Sequence, residues 1–303
     1  MNSQPPPLSI TGTTRLLGII GDPVKHSLSP LMHNAALGVM GLDLVYVPFP
    51  VQQEHLAAAL SGFAAIGVQG FNITIPHKQA ILPLLDQVTP LAQAIGAVNT
   101  VWPFYDEALS MQGWQGTNTD VQGFISPLEA IPPEQTQGTA LVLGCGGAAR
   151  AVVAGCHQLN WQSIWVVGRD REKLQAFQHS WQETEIAPKL KIAPWSDLPQ
   201  LLPQSSLVVN TTPLGMAPHG EQSPLSAEAL ALLPPETIVY DLIYTPSPTQ
   251  LLKLAEHRGL KTIDGVEMLV QQGAAALEIW TGQPVPVEVM RSTLRHALFP
   301  QDP

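Results

Sequence analysis

The chain has 303 residues, 45% of them apolar and 13% charged, which is too long for one hydrophobic core and too apolar for disorder. Its formal net charge is −10, with 14 Lys and Arg against 24 Asp and Glu and no long basic run, which argues against nucleic acid as a partner. Two globular domains are therefore expected, and an anionic substrate must be met by locally placed donors.

Read from the beginning, the proline-rich start with Pro5, Pro6 and Pro7 lacks the order of a signal peptide. No apolar run approaches the roughly 18 residues of a membrane span, so no membrane partner is expected and the cytoplasm is the expected compartment. Two cysteines, Cys145 and Cys156, and nine scattered histidines give neither a disulfide framework nor metal-ligand spacing, so no metal is expected. Strands are predicted at residues 16–20, 44–49, 70–75 and 97–101, with helices at 30–40, 54–66 and 89–95 between them. That order implies a parallel or mixed sheet covered by helices.

Within 70–75, Phe71, Ile73 and Ile75 alternate with Asn72 and Thr74, so an amide and a hydroxyl share one face; Pro76 ends the strand. Lys78 follows, near where a parallel sheet opens its ligand crevice. Residues 103–116 read as a loop or hairpin. Gly116-Thr117-Asn118-Thr119-Asp120 then precedes a helix from residue 121, and Asp120 is either its N-cap or a carboxylate facing a substrate held between domains. A lysine and an aspartate across a cleft suit alcohol oxidation, where the hydroxyl proton must leave as hydride departs from the same carbon.

Residues 131–139, with two prolines, read as a linker. A second series follows, with strands at 140–143, 164–167, 207–210, 238–241 and 262–264, and the apolar-periodic helix 266–280 is expected to return to the first domain. The first of these strands runs into Gly144-Cys145-Gly146-Gly147-Ala148-Ala149-Arg150, where Gly144, Gly146 and Ala149 occupy the positions of a G-x-G-x-x-G/A dinucleotide fingerprint. Glycine permits the tight turn and close approach, and the helix N-terminus offers free N–H groups to a pyrophosphate. The next strand ends in Gly168-Arg169-Asp170-Arg171. An arginine there suits the 2′-phosphate of NADP, whereas a carboxylate suits the 2′-hydroxyl of NAD. Asp170 is alternatively the N-cap of helix 171–180; that reading is favoured, with Arg171 and Lys173 nearby, and with it NADP.

Taken together, these segments resemble the shikimate dehydrogenase family. The matching stretches, in family order, are Ser27-Leu28-Ser29-Pro30, Asn72-Ile73-Thr74-Ile75-Pro76-His77-Lys78, Gly96-Ala97-Val98-Asn99-Thr100, Asn118-Thr119-Asp120, the loop at Gly144, Asn210 to Met216, Asp241 to Pro246 and Gly265 to Gln272. The resemblance implies two α/β domains: a substrate-binding domain, residues 1–120 with 265–303, and a Rossmann-type NADP-binding domain, 121–264. It implies reversible, NADPH-dependent reduction of 3-dehydroshikimate to shikimate. Lys78 and Asp120 match the catalytic pair; Ser27 and Ser29 would bind the substrate carboxylate; Asn72, Thr74, Asn99, Tyr244 and Gln272 would hold its ring and hydroxyls. Gly144, Gly146, Gly147 and Ala148 would cradle the pyrophosphate, Arg169 the adenosine end, and Thr211, Leu242, Gly265 and Met268 the rest of the cofactor. The residues themselves support the serine site, since Pro30 suits a first helical turn and Ser29 is expected to cap it. The family's usual Asn-Arg-Thr/Ser appears here as Gly168-Arg169-Asp170, which keeps NAD open as the alternative cofactor.

Three rival functions are weighed: NAD-linked quinate or quinate/shikimate oxidation, a folate-linked methylene dehydrogenase, and a non-catalytic dinucleotide or metabolite sensor. The serine site and Asn118-Thr119-Asp120 speak against the second, and retention of both Lys78 and Asp120 against the third. A homodimer is compatible with the sequence, which carries no signal for assembly.

Overall fold

The computed structural model describes residues 10–106, 110–129, 131–132 and 138–299, and the chain divides into two compact units, Met1–Thr119 with Val270–Pro303, and Asp120–Leu269. The proline-rich start and five residues of the predicted linker, 133–137, lie outside the described residues.

The first unit is built on a mixed sheet of six strands in the order β2-β1-β3-β5-β6-β4: β1 (Arg15–Gly21), β2 (Leu44–Pro50), β3 (Gly70–Ile73), β4 (Gln87–Val88), β5 (Thr100–Tyr105) and β6 (Met111–Thr117). β1 runs parallel to β2 and β3, joined through helices α1 (Ser29–Met40) and α2 (Leu56–Ala65), because parallel strands need a long crossover. β5 and β6 form an antiparallel hairpin. The short helices α3 (His77–Ala80) and α4 (Pro90–Ile95) follow β3 and β4. Thr89 caps α4 by accepting from the Ala92 amide, and Gly96, at φ 69°, ends it in the left-handed conformation that suits glycine.

Two predicted elements shift. Strand 70–75 stops at Ile73, so Phe71 and Ile73 face the core as expected while Ile75 is 74% exposed. Strand 97–101 begins instead at Thr100, because the Val98 amide turns to the Lys78 carbonyl at 2.8 Å. Three strands have no counterpart in the sequence expectation: β4, β6 as a distinct strand, and a strand of the second unit at Leu190–Pro194.

The second unit carries six parallel strands in the order β12-β11-β10-β7-β8-β9: β7 (Thr139–Leu143), β8 (Ser163–Gly168), β9 (Leu190–Pro194), β10 (Ser205–Asn210), β11 (Ile238–Asp241) and β12 (Lys261–Ile263). Leu141, Val142, Leu143, Val166, Val167, Val208 and Val209 are all fully buried, the continuous apolar run of a parallel sheet covered on both faces. The helices that position functional residues are α5 (Asp120–Ile125), α6 (Gly147–Gln158), α7 (Arg171–His179) and α8 (Gln250–His257). Strand order reverses between β7 and β10, the Rossmann-type switch point at whose carboxyl edge ligands bind.

The chain then returns to the first unit through α9 (Gly265–Thr281), from Val270 onward, and α10 (Val287–Leu298). Gly70 lacks a side chain where the Trp280 indole packs, and that indole donates to the Val101 carbonyl at 3.1 Å. Gly273 makes room in the same way for Met32 and His33 of α1. Among the described residues, no helix is long and apolar enough to cross a membrane.

Candidate active site

In the first unit, Ser29 is the first residue of α1 and its N-cap is Leu28, without a side-chain cap bond, so Ser29 is not the cap expected from sequence. The helix starts one residue earlier because proline, lacking an N–H, is tolerated anywhere in the first turn. The Ser27 hydroxyl accepts from the Ser29 amide at 3.3 Å, which places both serines at that turn. The His33 ring nitrogen Nδ1 meets the Ser29 carbonyl at 2.8 Å. His33 is wholly buried, and burial pushes its pKa down to about 4, so the ring is neutral and donates through Nδ1.

Asn72 is 4% exposed and hydrogen-bonded inside the protein. Its NH2 donates to the Asn99 carbonyl at 3.0 Å and to Thr100 Oγ1 at 3.1 Å, while its Oδ1 accepts from the Tyr46 hydroxyl at 2.7 Å. Asn99 Oδ1 accepts from the Thr119 amide at 2.7 Å and the Thr100 hydroxyl at 3.0 Å, and Asn99 Nδ2 donates to Gln272 Oε1 at 3.4 Å. Asn72, Asn99 and Gln272 are thus brought together, with Thr100 and Thr119 between them. Thr74 is half-buried just past β3, its amide donating to the Ile20 carbonyl at 2.9 Å. Lys78 is the second residue of α3 and half-buried; its carbonyl, through Val98, ties that turn to the Asn99 segment.

In the second unit, Asp120 opens α5 as its first helical residue and is 7% exposed. Gly144 sits at φ 103° directly after β7, and a Cβ there would meet Thr211 Oγ1 at 2.8 Å. The Thr211 hydroxyl donates to the Leu143 carbonyl at 2.7 Å, so both sides of the switch point are held together. Ala148 is half-buried and Ala149 buried, letting α6 approach the sheet. Gly265 fits only as glycine, because a Cβ would run into the backbone carbonyl of Leu242. Met268 is 9% exposed, and Tyr244 is half-buried with its phenol pushed up by burial. Asp241 is buried at the end of β11, accepting from Thr249 Oγ1 at 2.7 Å, Asn210 Nδ2 at 3.0 Å and the Ile243 amide at 3.1 Å.

Residues 19–101 match the model of the shikimate dehydrogenase substrate binding domain, and 265–295 that of the shikimate 5′-dehydrogenase C-terminal domain. A curated relative from Synechocystis sp., named shikimate dehydrogenase (NADP(+)), is 55% identical over 290 residues, 96% of this chain and 98% of that one. The chain belongs to the shikimate dehydrogenase family. Among solved members, shikimate 5-dehydrogenase from Thermus thermophilus in complex with NADP(H) and shikimate is 36% identical with a TM-score of 0.80, over 94% of this chain and 100% of that one. The Listeria monocytogenes enzyme in complex with shikimate and NAD is 33% identical with a TM-score of 0.83, over 94% and 98%.

For a shikimate dehydrogenase family member, the glycine loop has the form a dinucleotide requires. α6 has no side-chain N-cap bond, and a Cβ built on Gly146 or Gly147 meets nothing within 4 Å, so open space lies over the first N–H groups of a 12-residue helix. Arg169 and Arg171 are exposed beyond β8. Asp170 is the N-cap of α7, its Oδ1 accepting from the Glu172 and Lys173 amides, each at 3.1 Å. The favoured cap reading of that residue is therefore the observed one.

Sequence reading missed Tyr46, Thr100 and His33, and gave Thr119 no role of its own. The available signal for Tyr46 was a phenol inside the apolar run Leu44-Val45-Tyr46-Val47, since a buried tyrosine needs a partner. Nothing local in the sequence distinguishes Thr100 from an ordinary strand threonine.

Proposed function

We propose that this chain catalyses the reversible, NADPH-dependent reduction of 3-dehydroshikimate to shikimate. The observation that carries the reading is the likeness to curated shikimate dehydrogenases (NADP(+)) across 96% of this chain. The first unit serves as the substrate-binding domain and the second as the dinucleotide-binding domain. Ser27 and Ser29 meet the substrate carboxylate with hydroxyls at the positive end of α1, the local anion site that a chain of net charge −10 needs. Asn72, Thr74, Asn99, Tyr244 and Gln272 hold the ring and its hydroxyls. Gly144, Gly146, Gly147 and Ala148 receive the pyrophosphate, Arg169 the 2′-phosphate, and Thr211, Leu242, Gly265 and Met268 the remainder. When bound, the reduced nicotinamide supplies hydride. Lys78 and Asp120 hold and deliver the proton at the carbonyl oxygen, and take it back from the hydroxyl in the oxidative direction.

A spectrophotometric assay pairing shikimate and quinate with NADP and NAD tests the reading. The highest kcat/KM is expected for shikimate with NADP; preference for quinate with NAD would overturn it. Lys78→Ala should lower kcat by about 100-fold or more with a modest change in shikimate KM. Unchanged kcat in that variant removes the lysine from the chemistry.

A further inference from the structure

We propose that Tyr46 is a positioning residue for the hydroxy-ring substrate, acting through Asn72 and the turn at Ser29; the inference rests on the shikimate dehydrogenase reading above. Tyr46 lies within β2, paired with Leu17 of β1, and is 1% exposed, so its hydroxyl must be satisfied inside the protein. It donates to Asn72 Oδ1 at 2.7 Å. The orientation of that amide is fixed from its other end. The Asn99 carbonyl, 3.0 Å away, can only accept, so the NH2 of Asn72 must face it and the oxygen must face the phenol. Tyr46 supplies the donor that this oxygen requires, and the amide is held from both ends.

From Asn72 the line of hydrogen bonds continues through the Thr100 hydroxyl to Asn99 Oδ1, at 3.1 and 3.0 Å, and through Asn99 Nδ2 to Gln272. Thr100 also meets the Thr119 hydroxyl at 2.9 Å. The amides of Asn99 and Gln272, assigned like Asn72 to the substrate, therefore stand at the far end of a polar chain that begins at Tyr46. The aromatic face of the same residue serves the other end of the substrate. His33 stacks on the Tyr46 ring with centroids 4.1 Å apart and planes 10° from parallel, and its Nδ1 holds the Ser29 carbonyl at 2.8 Å. The Ser29 side chain lies beside the phenol itself. One buried tyrosine thus braces both the serine turn and the amide cluster. Both ends of this line are groups that hold the ring, so its loss should weaken substrate binding and leave proton transfer by Lys78 and Asp120 nearly intact.

Tyr46→Phe keeps the ring and its stack and removes only the hydroxyl. Steady-state kinetics with shikimate and NADP should show shikimate KM raised about tenfold or more, with kcat and NADP KM within about twofold of the wild type. Thr100→Val, which interrupts the same line between Asn72 and Asn99, should give the same selective rise. The double variant should be little worse than either single one, because both changes cut one line of bonds. Unchanged shikimate KM in Tyr46→Phe overturns the inference, as does a parallel rise in NADP KM, which would mark general loss of structure, or effects that multiply in the double variant. If Tyr46→Phe does not accumulate as folded protein, Thr100→Val decides alone, and an unchanged shikimate KM there overturns the inference. A wild-type chain that does not turn over shikimate overturns the functional reading and this inference together; a wild type that does, matched by Tyr46→Phe, overturns this inference alone.

Discussion

Asp170 accepts from two amides of the helix it begins, and Lys173 Nζ lies 3.7 Å from its other oxygen. The Lys173 amide is the main cause holding its carboxyl below the ordinary range, with the Lys173 charge and the Glu172 amide adding to it. A carboxylate so engaged at a helix end is a structural cap that also places negative charge next to Arg169. Replacing it with serine retains a cap and removes that charge. Asp170→Ser should therefore raise the ratio of kcat/KM for NADP over NAD, with shikimate KM unchanged; a falling ratio would show that Asp170 itself helps select NADP. The sequence alone could pose this choice but not settle it, because one Asp after a strand serves equally as cap or ribose acceptor until the amides it meets are located.

At the scale of elements, the glycine loop and β10 constrain each other through Gly144 and Thr211. Gly144→Ala adds a Cβ 2.8 Å from Thr211 Oγ1 at a φ of 103°, which L side chains rarely adopt. The strain is of the order of 1–3 kcal/mol, and NADP KM should rise at least tenfold in fluorescence or kinetic titration while shikimate KM barely moves. Equal cofactor KM in the variant would mean that the loop is not where the dinucleotide rests. Elements with strong periodicity were legible: β1, β2, α1, β7, β10 and β11 fall within two residues of their predicted limits. β9 was not, because Leu190-Lys191-Ile192-Ala193-Pro194 is a sheet edge, where Lys191 and Pro194 stay exposed and dilute the apolar signal. β4 has two residues and exists only through its pairing with β6. The same limit hid Tyr46: its partners Asn72 and His33 lie 26 and 13 residues away in sequence, and only the sheet register and the packing of α1 against the sheet bring them together.

Across the whole molecule, two buried groups give the units opposite responses to acid. Burial lowers His33 from 6.5 to about 4, so its contribution is complete above pH 6.5 and is lost as pH falls toward 4. Burial raises Asp241 from 3.8 to about 6 despite hydrogen bonds from Thr249, Ile243 and Asn210, so its contribution is complete below pH 3.8 and is lost as pH rises through 6. Going from pH 7 to pH 5, the His33 effect should cost the first unit about 2 kcal/mol, while the Asp241 effect favours the second by about 1 kcal/mol. Hydrogen exchange at Ile20 and at Leu141 would read the two separately, and opening free energies that shift in the same direction would refute the assignment. His33→Gln should abolish most of the first unit's response.

The path of the chain has a consequence of its own. The second unit is one uninterrupted stretch, Asp120–Leu269, whereas the first is completed only by Val270–Pro303. During synthesis, then, every residue of the parallel sheet is already part of the chain before Trp280 exists to fill the hollow at Gly70, or Gln272 to meet Asn99. A nascent chain halted near residue 270 has all the parts of a dinucleotide domain and a first sheet with an open apolar seam beside Met32 and His33. The first unit is the last to be completed, and its open seam is what a chaperone would have most reason to cover.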